Sequence, residues 1–470
     1  MKKINGGISL LLAAVALFSL GACKDTGNKG GGGDRFTGEL ERGATIRIQE
    51  NGVAIEKGFL ADLLKSFNEE YAEYGITAVD ANMSDAGDLA EDGPFGYGPD
   101  VLYGANDAIM PYVKGKHILP LPVDKIECYD SIDVRAWDAY EAEVEGTAYT
   151  FGVPVNVQEP VLFYRKDLIP SDWETKWDAD KNGVPDMIEN MNALYAFSKQ
   201  RKEEGKFGVM FSFFGAYNVV GFLYTYGGYT FGNDNKDVSD IGHSKGNAER
   251  GGNVMRQLAS VMDQRCLDDS LSGVTYKNIG DGKFFATVIT PDTYSLFIDE
   301  MMNAGMTREE AVENLGVADI PMLPESGDLT EKDASFLPTK MMGGVNGYAI
   351  SSYTKSPNAS LAFINYATRY EFIKKRTELL GIVPARTDIA EDIGGLSAIV
   401  NQNLESGKIV TMPSVREVSQ IWTPLTTVFT DIAKDAFRSP SQVKYDTLEK
   451  IKAALKTADQ QIYDSIFTLQ

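Results

Sequence analysis

Histidine is nearly absent from this chain, with two in 470 residues, His117 and His243. That scarcity argues against multi-histidine metal centres and most histidine-based acid–base catalysis. Cysteine is almost as rare: Cys23, Cys128 and Cys266 are all there is. No disulfide framework holds the fold, and whether Cys128 and Cys266 pair is left open. Positive charge is in deficit, 45 Lys and Arg against 67 Asp and Glu, for a net charge of −22. So acidic a body is a poor match for a phosphate backbone, which argues against nucleic-acid binding. No Walker motif occurs, and beyond the first 22 residues no apolar run reaches membrane-spanning length. What remains is an ordinary globular composition, 43% hydrophobic and 24% charged. At this length one hydrophobic core does not suffice, so two or three domains are expected.

The N-terminus is different in kind. Lys2 and Lys3 precede an apolar run over 8–20, long enough for a secretory signal and too short to span a bilayer. Its end, Leu20-Gly21-Ala22-Cys23, resembles a bacterial lipobox. The resemblance implies removal of residues 1–22, acylation of the Cys23 thiol, and a mature protein anchored to the cell envelope, facing the periplasm or exterior. Residues 23–43, with four successive glycines from Gly30, read as a flexible tether. A phosphate-cradling role for those glycines is poorly supported, because neither the following Lys-Ser/Thr nor a preceding strand is present.

Residues 149–170 organise the folded part. Two β runs, 149–153 and 161–164, flank an irregular polar segment, Asn156-Val157-Gln158-Glu159-Pro160, in which Pro160 breaks the ladder. The stretch reads as a crossing from one domain into a second. Before it, Thr45-Ile46-Arg47-Ile48-Gln49 alternates as a strand, and Phe59, Leu60, Leu63, Leu64, Phe67 and Tyr71 have helical spacing. Strands at 76–79 and 101–103 follow, so βαβ units and a mainly parallel sheet are expected. In such sheets ligands sit beyond the carboxyl ends of strands, which singles out Glu50, Asn51 and the segment 104–107. After the crossing, Ser171-Asp172-Trp173-Glu174 has the capping-box pattern. The C-terminal stripe of Tyr445, Leu448, Ile451, Leu455, Ile462 and Ile466 is core-facing.

An ordered set of motifs carries a resemblance over about residues 44–470. It comprises Gly98-Pro99-Asp100-Val101 with Ala105-Asn106-Asp107, Gly152-Val153-Pro154 through Asp167-Leu168, and Gly227-Gly228-Tyr229. It continues with Gly344-Val345-Asn346-Gly347-Tyr348, Ser356-Pro357-Asn358, Gly381-Ile382-Val383-Pro384 and a late Trp422. In this order they resemble the maltose-type, sugar-binding family of extracellular solute-binding proteins of ABC importers. The resemblance implies an α/β, two-lobed periplasmic-binding-protein-like fold with a hinge and an interlobe ligand cleft. The expected lobes are 44–153 plus 324–368 and 154–323 plus 369–470.

Sugar recognition joins aromatic rings under pyranose C–H faces to fixed polar groups for the hydroxyls. Carried over motif by motif, the resemblance implies a first-lobe carboxylate at Asp107 and stacking aromatics at Tyr217, Tyr294 and Trp422. Gln158 stands where the family commonly has a carboxylate, with Glu159 adjoining. The member known for maltodextrins has a tryptophan at the position of Gly104 and an arginine at that of Ala108, departures that set maltose itself in question. Each candidate has a plainer reading too: Tyr217 and Tyr294 as core, Asp107 as a helix cap, Glu50 and Asn51 as turn residues.

The sharpest local motif runs over 178–189. Asp178, Asp180, Asn182, Gly183, Asp186 and Glu189 match the D-x-D-x-N-G-x5-E calcium loop. Carboxylates at alternate positions converge on Ca²⁺ because glycine at the sixth position permits the sharp turn, with the Val184 carbonyl as a further ligand. Helical sequence at 173–177 and 187–202 flanks the loop, as in an EF-hand. Pro185 departs from the pattern, and a solvated acidic turn is the alternative.

The leading expectation is a non-catalytic, lipid-anchored, monomeric binding protein. It would capture a carbohydrate, an oligosaccharide of maltodextrin type, and deliver it to the transmembrane subunits of an ABC permease. The alternatives are a secreted glycoside hydrolase with two carboxylates about 5–10 Å apart, and a binding protein for a peptide or polyamine.

Overall fold

The structure, a computed structural model, describes residues 35–83 and 89–468. Cys23, the lipobox and most of the tether lie outside the described residues.

The first lobe is built on a seven-stranded sheet. Its order is Val383–Pro384, Val153–Gln158, Met341–Ile350, Val101–Ala105, Thr45–Ile48, Thr77–Asp80, with Ile409–Thr411 also on Met341–Ile350. Thr45–Ile48 pairs in parallel with Thr77–Asp80 and Val101–Ala105. The helix Phe59–Glu70 between the first two buries Phe59, Leu60, Leu63 and Phe67 against them, the βαβ unit that the spacing predicts. The sheet as a whole is mixed, which corrects the mainly parallel expectation. Met341–Ile350, ten buried residues, runs antiparallel to Val101–Ala105 and to Val153–Gln158. This strand arrives only after the chain has built its second lobe, so no local spacing announces its direction.

The second lobe holds a four-stranded sheet in the order Leu315–Ala318, Val161–Arg165, Phe284–Ile289, Phe207–Val209. The helices Ala248–Val261, Trp422–Ala433 and Leu448–Phe467 pack together in the same lobe. The last buries Ile451, Leu455, Ile462 and Ile466, so the C-terminal stripe is core.

Three segments cross between the sheets, at 158–161, 319–340 and 412–421. The expected lobe limits shift accordingly. Residues 154–158 extend the first sheet, since the strand runs from Val153 to Gln158 and carries Asn156 and Val157 with it. The irregular polar segment therefore shrinks to Glu159-Pro160. Residues 383–384 and 409–411 also pair into the first sheet, so 369–411 belong with the first lobe. The capping box at Ser171 does not form. Asp172 occupies the N-cap without a side-chain bond, and its carboxylate pairs with Lys176 at 2.6 Å instead. Cys128 and Cys266 are both buried and free, one in each lobe, and do not pair.

Candidate functional site

Four of the residues singled out from sequence, Asp107, Gln158, Tyr217 and Trp422, come together where the two lobes meet. Asp107 sits in the first turn of the short helix Asn106–Ile109, directly beyond Val101–Ala105. It is not the N-cap, a position held by Ala105. Burial pushes its carboxyl pKa upward, against the pull of the Asp107 and Ala108 backbone amides. The neighbouring Asn106 is fully buried and ties three elements together. Its amide donates to Met412 O at 3.0 Å and Ser414 Oγ at 2.9 Å, and its Oδ1 accepts from Val345 N at 3.2 Å. Asn106 lies in the segment 104–107 singled out from sequence, but its role shows only in its contacts, some 240 and 300 residues away.

Tyr217 and Trp422 come from the second lobe, their rings 6.4 Å apart and edge to face. The Tyr217 hydroxyl donates to Gln158 O at 3.3 Å in the first crossing segment. It also lies close to Gly344 of the central first-lobe strand, where an added Cβ would come within 3.6 Å of it and 3.3 Å of Met412 Cε. Glycine there lets the tyrosine reach across the cleft. Burial raises the Tyr217 pKa, and the charges of Asp107, Glu159 and Asp292 add to it. Aromatic edges and acceptor oxygens thus share one interlobe space, the pairing that a sugar requires.

The remaining candidates are engaged elsewhere. Glu50 is fully buried in a two-pronged ion pair with Arg376, at 2.7 and 2.8 Å, so it presents no free carboxylate to a ligand. Asn51 caps the helix Gly52–Glu56, accepting from Val53 N and Ala54 N. Tyr294 is half-buried, opens the helix Tyr294–Asn303, packs on Phe163 with ring centres 6.4 Å apart and meets Gly381 of the first-lobe segment 369–411.

Glu159 belongs to the hinge. It lines a cavity of about 480 Å³ with Asp319, Asn403 and Lys408, between the helix Leu396–Glu405 and the crossing segments. Asn403 Nδ2 donates to Glu159 Oε1 at 2.7 Å and to Asp319 Oδ1 at 2.6 Å, while Lys408 pairs with Asp319 at 2.7 Å. Burial lifts the Glu159 carboxyl to about 8. It holds its proton at neutral pH.

Two sheets are joined by three crossings, with an aromatic pair from the second lobe and a carboxylate-bearing helix from the first where they meet. A family model for bacterial extracellular solute-binding proteins matches residues 62–404. The chain belongs to that family. It is 24% identical over 463 residues to the maltodextrin-binding protein of Bacillus subtilis, covering 97% of this chain and 99% of that one. It is 26% identical over 390 residues to the galactooligosaccharide-binding protein of the same organism, 80% of each chain. The fold matches that of MalX from Streptococcus pneumoniae, solved with maltopentaose, with a TM-score of 0.69 at 18% identity over 89% of this chain and 100% of that one. The family is one of binding proteins, which sets the hydrolase alternative aside.

This solute-binding protein also carries the acidic loop at 178–189, in the second lobe beside the hinge. Gly183 adopts φ +83, in the left-handed region that the motif reserves for glycine. Asp180, Asp186 and Glu189 each bring a carboxylate oxygen within 4.8 Å of the others. Asn182 donates to Glu189 at 2.8 Å, and its backbone amide to Asp178 at 3.0 Å. Burial, reinforced by the neighbouring carboxylates, raises the pKa of Asp186 and Glu189. A divalent cation would relieve exactly that crowding, so the donor set fits one. The exit helix differs from the EF-hand expectation: Asp186–Glu189 ends at Asn190, whose side chain caps a separate helix, Met191–Glu203.

Proposed function

We propose that this solute-binding protein is the capture subunit of an ABC importer for an oligosaccharide of the maltodextrin or galactooligosaccharide type. The observation that carries the reading is the Tyr217–Trp422 pair on the second lobe opposite Asp107 on the first. The printed functions of the two Bacillus subtilis relatives point the same way. Ligand between the lobes stabilises the closed arrangement by touching both, a population shift that a membrane permease then reads. The test is a thermal-shift and calorimetric screen of the monomeric mature chain with maltotriose, maltopentaose and galactotriose. Saturating sugar at a hundredfold over its dissociation constant adds about 2.7 kcal/mol of stability. No response to any carbohydrate overturns the reading and moves the search to peptides and polyamines.

Two further parts of the proposal concern the envelope and the metal. Acylation at Cys23 anchors the protein to the membrane; no helix among the described residues is long and apolar enough to cross one. Release of a Cys23→Ser variant into the soluble fraction tests the anchor. Ca²⁺ held by Asp178, Asp180, Asn182, the Val184 carbonyl, Asp186 and Glu189 serves as a structural clip on the second lobe.

A further inference from the structure

Among the described residues the most exposed large apolar side chains are Phe95 and Tyr97, 77% and 70% accessible. Exposed aromatics taken singly need no explanation, but the loop that carries these two is closed and pinned. Gly96 adopts φ +78, its amide donates to Gly93 O at 2.9 Å, and Tyr97 N donates to Asp92 O at 3.2 Å. Arg47, on the strand Thr45–Ile48, donates to Tyr97 O at 2.7 Å and to Gly98 O at 3.2 Å. Gly93 rests on the Tyr353 ring so closely that a Cβ would come within 2.2 Å of it. The backbone of 92–98 is thereby fixed while both side chains stand out in water. The same corner is where the chain enters the lobe. Arg35 donates to Ser352 O at 2.7 Å and to Thr354 O, the two neighbours of Tyr353. Residues 24–34 separate Arg35 from Cys23, a stretch that spans at most about 40 Å. The strand Met341–Ile350 ends here, with Ile350 opposite Val101, whereas Asn346 opposite Ala105 marks the Asp107 end. Chain entry and aromatic loop thus share the end of the first-lobe sheet remote from Asp107.

We propose that Phe95 and Tyr97 form a membrane-interface contact, entering the headgroup layer of the bilayer that holds the Cys23 lipid. This rests on the anchor reading above. Aromatic side chains are favoured at the boundary between water and lipid. Two of them bind weakly by themselves, but a short tether keeps them near the surface at an effective concentration in the millimolar range. The contact therefore forms and releases readily. It seats the first lobe with the Asp107 end of its sheet turned away from the bilayer, and docking on a permease requires its release. Glu91 and Asp92 adjoin the loop. Like charge with anionic headgroups opposes the contact, so the apolar rings and not electrostatic attraction hold it.

The test places the acylated protein on phosphatidylcholine vesicles with and without brominated acyl chains, which quench tryptophan at the interface. Phe95→Trp is compared with Met302→Trp, an exposed second-lobe position, each read above the four native tryptophans. The added fluorescence of Phe95→Trp is expected to fall by about half on brominated lipid, and that of Met302→Trp by less than about a tenth. Replacing about a third of the lipid with phosphatidylglycerol is expected to weaken the quenching at 95. Equal quenching at both positions, or none at 95, overturns the inference. Shielding at 95 that appears only in membranes containing the permease also overturns it, in favour of a protein partner. A second arm holds the chain from Lys24 on nickel-chelating lipid through an N-terminal histidine tag, which supplies a tether without acylation. Quenching at 95 in that arm, with the untagged protein not retained on vesicles, would count against the anchor alone and leave the contact standing.

Discussion

Arg376 clasps Glu50 with two hydrogen bonds, Nη2 to Oε1 at 2.7 Å and Nη1 to Oε2 at 2.8 Å, inside the first lobe. The two side chains are 1% and 0% exposed. Tyr348 donates to the same carboxylate at 2.5 Å, and the guanidinium lies 4.1 Å from the centre of the Tyr103 ring. This pairing fastens the helix Tyr370–Leu380 to the end of Thr45–Ile48. Removing one partner strands a buried charge, a loss of about 3–5 kcal/mol. Glu50→Gln and Arg376→Ala should each lower stability by about that amount in denaturant titrations. The double variant should lose less than the sum of the two. Sugar affinity measured well below the unfolding midpoint should stay near wild type, since neither group reaches the ligand.

Trp422 stands at the start of the helix Trp422–Ala433 and is only partly buried. Its removal should therefore disturb binding more than folding. Loss of an aromatic anchor at the centre of a site costs about 2 kcal/mol or more, roughly thirtyfold in affinity. Trp422→Ala should show that loss by calorimetry with its sugar-free melting temperature within a few degrees of wild type. An equal fall in both would reassign the residue to the core.

Glu159 makes stability depend on pH. Its carboxyl rises from the ordinary 4.5 to about 8, chiefly through burial, with Asp319 adding and Asn403 and Lys408 opposing. Between these values the folded protein holds a proton that the unfolded chain has released. The contribution is thus complete below about pH 4.5 and is lost as pH climbs through about 8. Glu159→Gln carries no such slope. Its melting temperature should gain on that of wild type from about pH 5 to about pH 8 and then level off, and parallel curves would refute the assignment.

Calcium should act on the loop and not on the cleft. With a dissociation constant of about 10⁻⁴–10⁻³ M, as in extracellular modules, 10 mM Ca²⁺ stabilises by about 1–3 kcal/mol. The raised pKa values of Asp186 and Glu189 set protons in competition with the ion, so the response should weaken as pH falls. Glu189→Gln should abolish the calcium-dependent rise in melting temperature, while sugar affinity is the same in calcium and in EDTA. Identical wild-type melting curves in the two media would leave the loop a solvated acidic turn.

Local spacing determined a good part of this protein. The helix Phe59–Glu70, the C-terminal helix Leu448–Phe467 and the first βαβ unit were legible because an amphipathic face is written in residues three and four apart. The calcium-type loop and the crossing at Pro160 were legible for the same reason, each being complete within a dozen residues. The ordered motifs singled out Asp107, Tyr217 and Trp422, which come from different lobes, and the Tyr217 and Trp422 rings lie 6.4 Å apart.

Only the tertiary structure decided what each polar group does there. Glu50 sits beyond a strand end, where a ligand carboxylate belongs, yet a residue 326 positions later claims it. Glu159 adjoins Gln158 but faces the hinge, held by Asn403 at a separation of 244. The direction of Met341–Ile350 and the return of 383–384 and 409–411 to the first sheet are equally non-local. The physical reason is common to all of them. A side chain's type sets which bonds it can make, but burial and partners arriving from distant parts of the chain set which one it does make.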